Sequence, residues 1–148
     1  MYESIHKLID WQEFSKQPLT EHQIECYSEY VDWELISQYQ TLSESFIEQH
    51  QDRVDWSWIS RKQTLSESFI ERHKDRVDWI MISISQTLSE VFIEHYHDRV
   101  KWNVISKYQT LSESFIERHF NLVDWYWISK NQNLSENFKQ KYQLTTAQ

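Results

Sequence analysis

The sequence predicts an all-α fold: an α-solenoid of about six stacked helix-turn-helix repeats, with polar capping repeats at both ends. Three observations predict it. A unit recurs every 23 residues, marked by Trp33, Trp56, Trp79, Trp102 and Trp125, and four of these follow Val-Asp (Lys101 replaces the aspartate once). Gln-Thr-Leu-Ser-Glu-Ser-Phe-Ile-Glu recurs at 40–48, 63–71 and 109–117, and at 86–94 with Val91 as its single change. The end copies differ from the rest in a polar direction. Fixed self-similarity at this period marks a stacked repeat array.

The repeat from Val54 to Arg76 shows why each half is a helix. Asp55 is an N-cap, since its carboxylate accepts a backbone N–H of the first turn. Val54 before it and Ile59 after it form a hydrophobic staple. Trp56, Ile59, Ser60 and Gln63 fall at i, i+3, i+4 and i+7, one face of a short helix. Ser60 is expected where neighbouring helices approach closely, and Gln63 to bond carbonyls at the helix end or in the next repeat. In the second half Ser66 is the cap, with Leu65 and Ile70 as staple partners and Phe69, Ile70 and His73 facing inward. A shifted reading makes Thr64 the cap and Glu67 its capping-box partner. Helices of two to three turns are expected; alone they are unstable in water and persist only by stacking.

The repeats run about 9–30, 31–53, 54–76, 77–99, 100–122 and 123–145, after a lead-in at 1–8 and before a tail at 146–148, in one repeat domain. Gln23 stands where the inner copies have Phe46, Phe69, Phe92 and Phe115, and Lys139 where they have Ile47, Ile70, Ile93 and Ile116. These exchanges mark capping repeats, whose outer faces must be polar. One continuous helix would waste the paired caps, and period 23 fits neither a heptad nor an 11-residue supercoil. A leucine-rich or β-helical solenoid needs strand alternation and turn residues that are missing.

Composition narrows function. There is no glycine, and Pro18 is the only proline. This excludes a glycine-rich phosphate loop, a dinucleotide fingerprint and a nucleophile elbow. Cys26 is the only cysteine, so neither an intrachain disulfide nor a multi-cysteine zinc site is expected. An intracellular location is expected, with no signal peptide and no membrane span. Net charge is −8, and residues 1–53 carry all of it, with eleven acidic and three basic side chains. Phosphate-backbone binding needs clustered Lys and Arg, so direct nucleic-acid binding is disfavoured.

Val-Asp-Trp-x-x-Ile-Ser-x-x-Gln-x-Leu-Ser-Glu-x-Phe-Ile-Glu resembles the short tandem helical repeats in proteins of large DNA viruses and of some bacteriophages. There the unit often reads Trp-x-x-Leu-Ser-x-Asn-Pro-x-Ile-Thr-x-Glu-Phe-Ile. Residues 131–138, Asn-Gln-Asn-Leu-Ser-Glu-Asn-Phe, come nearest, and the resemblance covers about residues 9–138. This chain keeps glutamine (Gln40, Gln63, Gln86, Gln109, Gln132) and lacks the proline. The resemblance implies a viral or phage setting, host cytoplasm, a protein-binding role and no catalytic residue.

No constellation of residues predicts catalysis, a cofactor or a metal. His50, His73 and His119 share a repeat position with Tyr27, Tyr96 and Tyr142, which reads as a half-buried aromatic slot. His95 and His97 are two apart, off a common helix face. Glu44, Glu67, Glu90 and Glu113 sit at helix starts, where the macrodipole favours them. Asp52, Asp75 and Asp98 are expected to cap or to pair with arginine.

The positions that vary between repeats carry the functional candidates. On the first helices these include Leu35, Tyr39, Trp58, Arg61, Ile80, Met81, Ile84, Val104, Tyr108, Tyr126 and Trp127. Ile80, Met81 and Ile84 join Ile82 to make one helix apolar nearly all round, so that helix is either buried or covered. Trp58, Tyr108, Tyr126 and Trp127 have the character of interface anchors. The expectation is a non-enzymatic scaffold that binds a protein, with a host protein such as a defence component as the suspected partner and inhibition as one outcome. Self-association and ordinary inter-repeat packing are alternatives for the same residues. A different alternative is an acidic mimic of nucleic acid working through Glu13, Glu21, Glu25, Glu29, Asp32, Glu34, Glu44 and Glu48, which otherwise serve solubility.

Overall fold

The computed structural model describes residues 8–144. They form twelve α-helices, and no strand occurs among the described residues. The chain divides into two compact units at the Val77–Asp78 bond. The first unit holds α1 (Trp11–Lys16), α2 (Glu21–Cys26), α3 (Trp33–Tyr39), α4 (Glu44–Gln49), α5 (Trp56–Lys62) and α6 (Glu67–Arg72). The second holds α7 (Trp79–Ser85), α8 (Glu90–His95), α9 (Trp102–Tyr108), α10 (Glu113–Arg118), α11 (Trp125–Asn131) and α12 (Glu136–Lys141). Each helix has six or seven residues, just under two turns, shorter than the sequence suggests.

The caps explain this brevity. Asp32 Oδ1 accepts the N–H groups of Glu34 and Leu35, and Asp124 Oδ1 those of Tyr126 and Trp127. Ser66 Oγ accepts the Phe69 N–H at 3.2 Å, so the serine is the cap of the second helix and Thr64 is not. First helices end at a glutamine in extended conformation; at Gln63 φ is −87° and ψ is 152°. Second helices end at a residue such as His73, with φ −110° and ψ 24°, followed by a turn in which Arg76 and Val77 both donate to the His73 carbonyl. None of these endings needs positive φ, so the repeats fold without glycine. Among the described residues only Gln143 has positive φ, just past the last helix.

Within each unit the first helices pack on one another, α1 with α3 with α5 and α7 with α9 with α11. The core is periodic: Ile36, Ile59, Ile82, Ile105 and Ile128 are fully buried, as are Ile47, Ile70, Ile93 and Ile116. Burying an isoleucine contributes about 1.5–3 kcal/mol, which short helices gain only through stacking. Behind them each repeat builds an aromatic cluster. Trp56 lies 6.2 Å from Phe69 and 4.9 Å from His73, and Trp79 lies 6.3 Å from Phe92 and 5.0 Å from Tyr96. Histidine and tyrosine thus fill one aromatic slot.

Three polar joins link repeats, two of them buried. Ser37 is fully buried, donates to the Trp33 carbonyl at 2.7 Å and accepts the Asp55 N–H at 2.9 Å. Ser106 does the same with Trp102 and Asp124. Small size admits the neighbouring helix, and the hydroxyl ties it. The glutamines reach the preceding repeat, not the next. Gln109 donates to the Ser83 and Gln86 carbonyls and accepts the Leu88 N–H. The extended link between the two helices of a repeat leaves its backbone groups unpaired, and this amide satisfies them. Glu44 Oε1 accepts the N–H of cap residue Ser66 at 2.5 Å, and Glu90 that of Ser112. These glutamates therefore tie repeats together as well as opening helices.

The end repeats satisfy themselves. Thr20 and Gln23 form a reciprocal capping box, doing for α2 what a preceding glutamate does for α4. Gln23, which sequence reasoning marks as a polar cap residue, thus has a specific bonding role. At the other end Glu136 pairs with Lys139 at 2.8 Å within its own helix.

Candidate functional site

The seven-residue first helices present two kinds of variable position. The second and seventh residues are exposed in every repeat from α3 onward; the third and sixth are mostly half-buried between neighbouring helices. In the first unit Tyr39 is exposed while Leu35 is half-buried. Trp58 is half-buried, and the exposed Arg61 guanidinium lies 5.4 Å from its ring centroid.

In the second unit Ile80 is 43% exposed, Tyr108 50% and Tyr126 61%. Met81, Ile84, Val104 and Trp127 are half-buried beside them. The apolar helix α7 is therefore neither wholly buried nor covered within the described chain; Ile80 faces outward. Lys107 Nζ lies 4.1 Å from the Trp127 ring centroid, a cation–π contact between successive repeats, and 5.0 Å from Tyr108. Tyr126 packs edge-on against Trp127 at 4.9 Å. Part of the candidate set thus serves inter-repeat packing, and part is open to solvent. Lys107 was not a sequence candidate. Its role depends on a ring twenty residues ahead, and a single variable lysine carries no sign of that.

Most of the eight acidic candidates of the first unit are engaged by neighbouring groups. Glu13 pairs with Lys16, Glu25 Oε2 with His50 Nε2 at 2.7 Å, and Glu29 with Arg53 at 2.9 Å. Glu21 and Glu44 hold the caps Ser43 and Ser66, Asp32 caps α3, and Glu48 lies 3.3 Å from Arg72. Glu34 is exposed. Of the connection aspartates, Asp52 pairs with Arg76 at 2.8 Å.

A shallow, open cleft of about 490 Å³ lies in the first unit, lined by Glu48, Gln51, Arg72, His73, Asp75 and Arg76. His73 Nε2 is buried there without a hydrogen bond, 3.6 Å from Glu48 Oε1. Burial lowers the His73 pKa, Glu48 opposes the shift, and Arg72 and Arg76 add to it. His119 repeats the arrangement, 3.8 Å from Glu94. Cys26 is exposed, with Sγ 3.7 Å from His22 Nε2. Among the described residues no group of three His, Cys, Asp or Glu side chains is placed to hold a metal ion, and no helix is long and apolar enough to cross a membrane. No protein-family model, no curated protein and no solved structure matches this chain.

Proposed function

We propose that the protein is a non-enzymatic helical-repeat scaffold that binds another protein through the exposed face of its first helices. The observation that carries this reading is the exposure of Ile80, Tyr108 and Tyr126 on helices whose other side is buried. Large apolar and aromatic side chains exposed above a buried core are the usual anchors of interfaces. Within the second unit these helices pack on one another over a buried core, so the face is formed before a partner arrives, which lowers the ordering cost of binding. On the sequence resemblance alone, the setting is viral or phage and the partner a host protein, with inhibition of a defence component as the outcome.

Affinity capture with the full chain tests this, comparing wild type with Ile80→Asp, Tyr126→Ala and Glu34→Lys. The partner should be lost with the first two and kept with the third. Retention with the first two and loss with Glu34→Lys would replace docking by acidic mimicry. Self-association through the same face is the competing reading, and light scattering of the wild-type chain checks it.

A further inference from the structure

We infer that the first-helix face of the second unit receives an acidic protein segment anchored by apolar side chains; this rests on the docking reading above. The observation is a segregation of charge. On the second helices and the connections after them, basic groups meet carboxylates of the neighbouring repeat, as Arg53 meets Glu29 at 2.9 Å, Arg76 meets Asp52 at 2.8 Å and Lys141 meets Glu117 at 2.8 Å. On the first helices the pattern differs, and Arg61 and Lys62 of α5 also lack a carboxylate partner among the described residues. Lys107 on α9 and Lys130 on α11 pair with no carboxylate among the described residues. Helices α7, α9 and α11, with sequences WIMISIS, WNVISKY and WYWISKN, contain no acidic residue. The nearby cap Asp124 is occupied with the backbone N–H groups of its own helix.

Lys107 is also held in place. Its ammonium sits over the Trp127 ring at 4.1 Å, with Tyr108 at 5.0 Å. An ordered cation on an aromatic floor gives up less freedom when an anion arrives. On α7 and α9 the exposed Ile80 and the half-buried Ile84 and Val104 offer apolar surface. An occupant must satisfy both demands, so it combines Asp or Glu with leucine-like or aromatic anchors. A nucleic-acid strand fits less well. Two lysines across three helices are sparse for a phosphate backbone, and the second helices of the same unit carry Glu90, Glu94 and Glu113.

The test is selection of a random 12-residue peptide library on the immobilised full chain, with a labelled oligothymidine as a second probe. Selected peptides should be enriched in Asp and Glu together with Leu, Phe or Trp. Their affinity should fall about tenfold or more with Lys107→Glu plus Lys130→Glu. Lys107→Gln plus Lys130→Gln, with circular dichroism unchanged, should give a smaller loss and guards against misfolding. Neutral or basic peptides that are lost with Ile80→Asp and Tyr126→Ala would overturn the acidic partner yet leave docking at this face intact. Acidic peptides indifferent to both lysine pairs would overturn the inference. So would oligothymidine displacing the peptides. Failure to select any peptide would overturn the inference as well, while the capture experiment above judges the docking reading separately.

Discussion

The side-chain amide of Gln63 spans one full repeat to reach Gln40. Its Nε2 donates to the Gln40 carbonyl at 2.8 Å while its Oε1 accepts the Leu42 N–H at 2.9 Å. Gln63 is buried, so its removal strands two backbone groups away from water. Gln63→Ala should cost about 2–4 kcal/mol in urea denaturation. The control is Gln17→Ala. Gln17 is exposed and its side chain makes only a 3.4 Å contact with the Glu13 carbonyl, while its backbone carbonyl, which accepts from Gln40, is kept in the variant, so the loss should fall within about 0.5 kcal/mol. Equal costs at the two positions would remove the inter-repeat clamp as the explanation.

Size and hydroxyl separate at Ser106, which is fully buried between α9 and its neighbours. Ser106→Ala keeps the close approach but strands the Asp124 N–H, at about 1–2 kcal/mol. Ser106→Leu also forces the helices apart and should cost at least about 1–3 kcal/mol more. Thermal melts of the two variants check the order.

Lys101 is the departure from the aspartate cap, and its side chain makes no capping bond. Lys101→Asp should stabilise the chain by about 1 kcal/mol, and Asp124→Ala should destabilise it by a similar amount. A Lys101→Asp variant that unfolds no later than wild type would mean that α9 does not need its cap.

The His73 pKa in the folded state lies below its ordinary 6.5 because burial disfavours the charged ring. Between the two values the unfolded chain binds more protons than the folded one, so stability rises with pH there. The contribution is complete above about 6.5 and is lost as pH falls from that value through the lowered one. His73→Tyr, which copies the occupant of the equivalent slot at Tyr96, should flatten this dependence. Urea unfolding of the variant and wild type at pH 5 and 7.5, the acid value chosen below the ordinary histidine range, decides the matter. An unchanged slope would place the titrating group elsewhere.

Most of the fold was legible because each repeat states its own local rules. Asp32, Ser43, Asp55 and Ser66 announce helix starts through capping chemistry that needs only near neighbours. The spacing of Trp56, Ile59 and Ser60 announces one buried face, and the interchange of histidine and tyrosine announces an aromatic slot. Gln23 and Lys139 mark the ends because only a terminal repeat tolerates polar residues at those positions. All of this is short-range information repeated six times.

The direction of the glutamine clamp and the fate of the charges were decided by tertiary structure. Gln63 could have bonded on either side, and only the stacking geometry places the unpaired Leu42 N–H and Gln40 carbonyl within its reach. The acidic residues of the first third look like a patch when counted along the chain. In space Glu25, Glu29 and Glu48 meet His50, Arg53 and Arg72, each about one repeat later. The lysine over Trp127 has the same origin. A periodic sequence determines what each repeat is, whereas the contact between a residue and one about twenty positions away exists only once the helices have stacked.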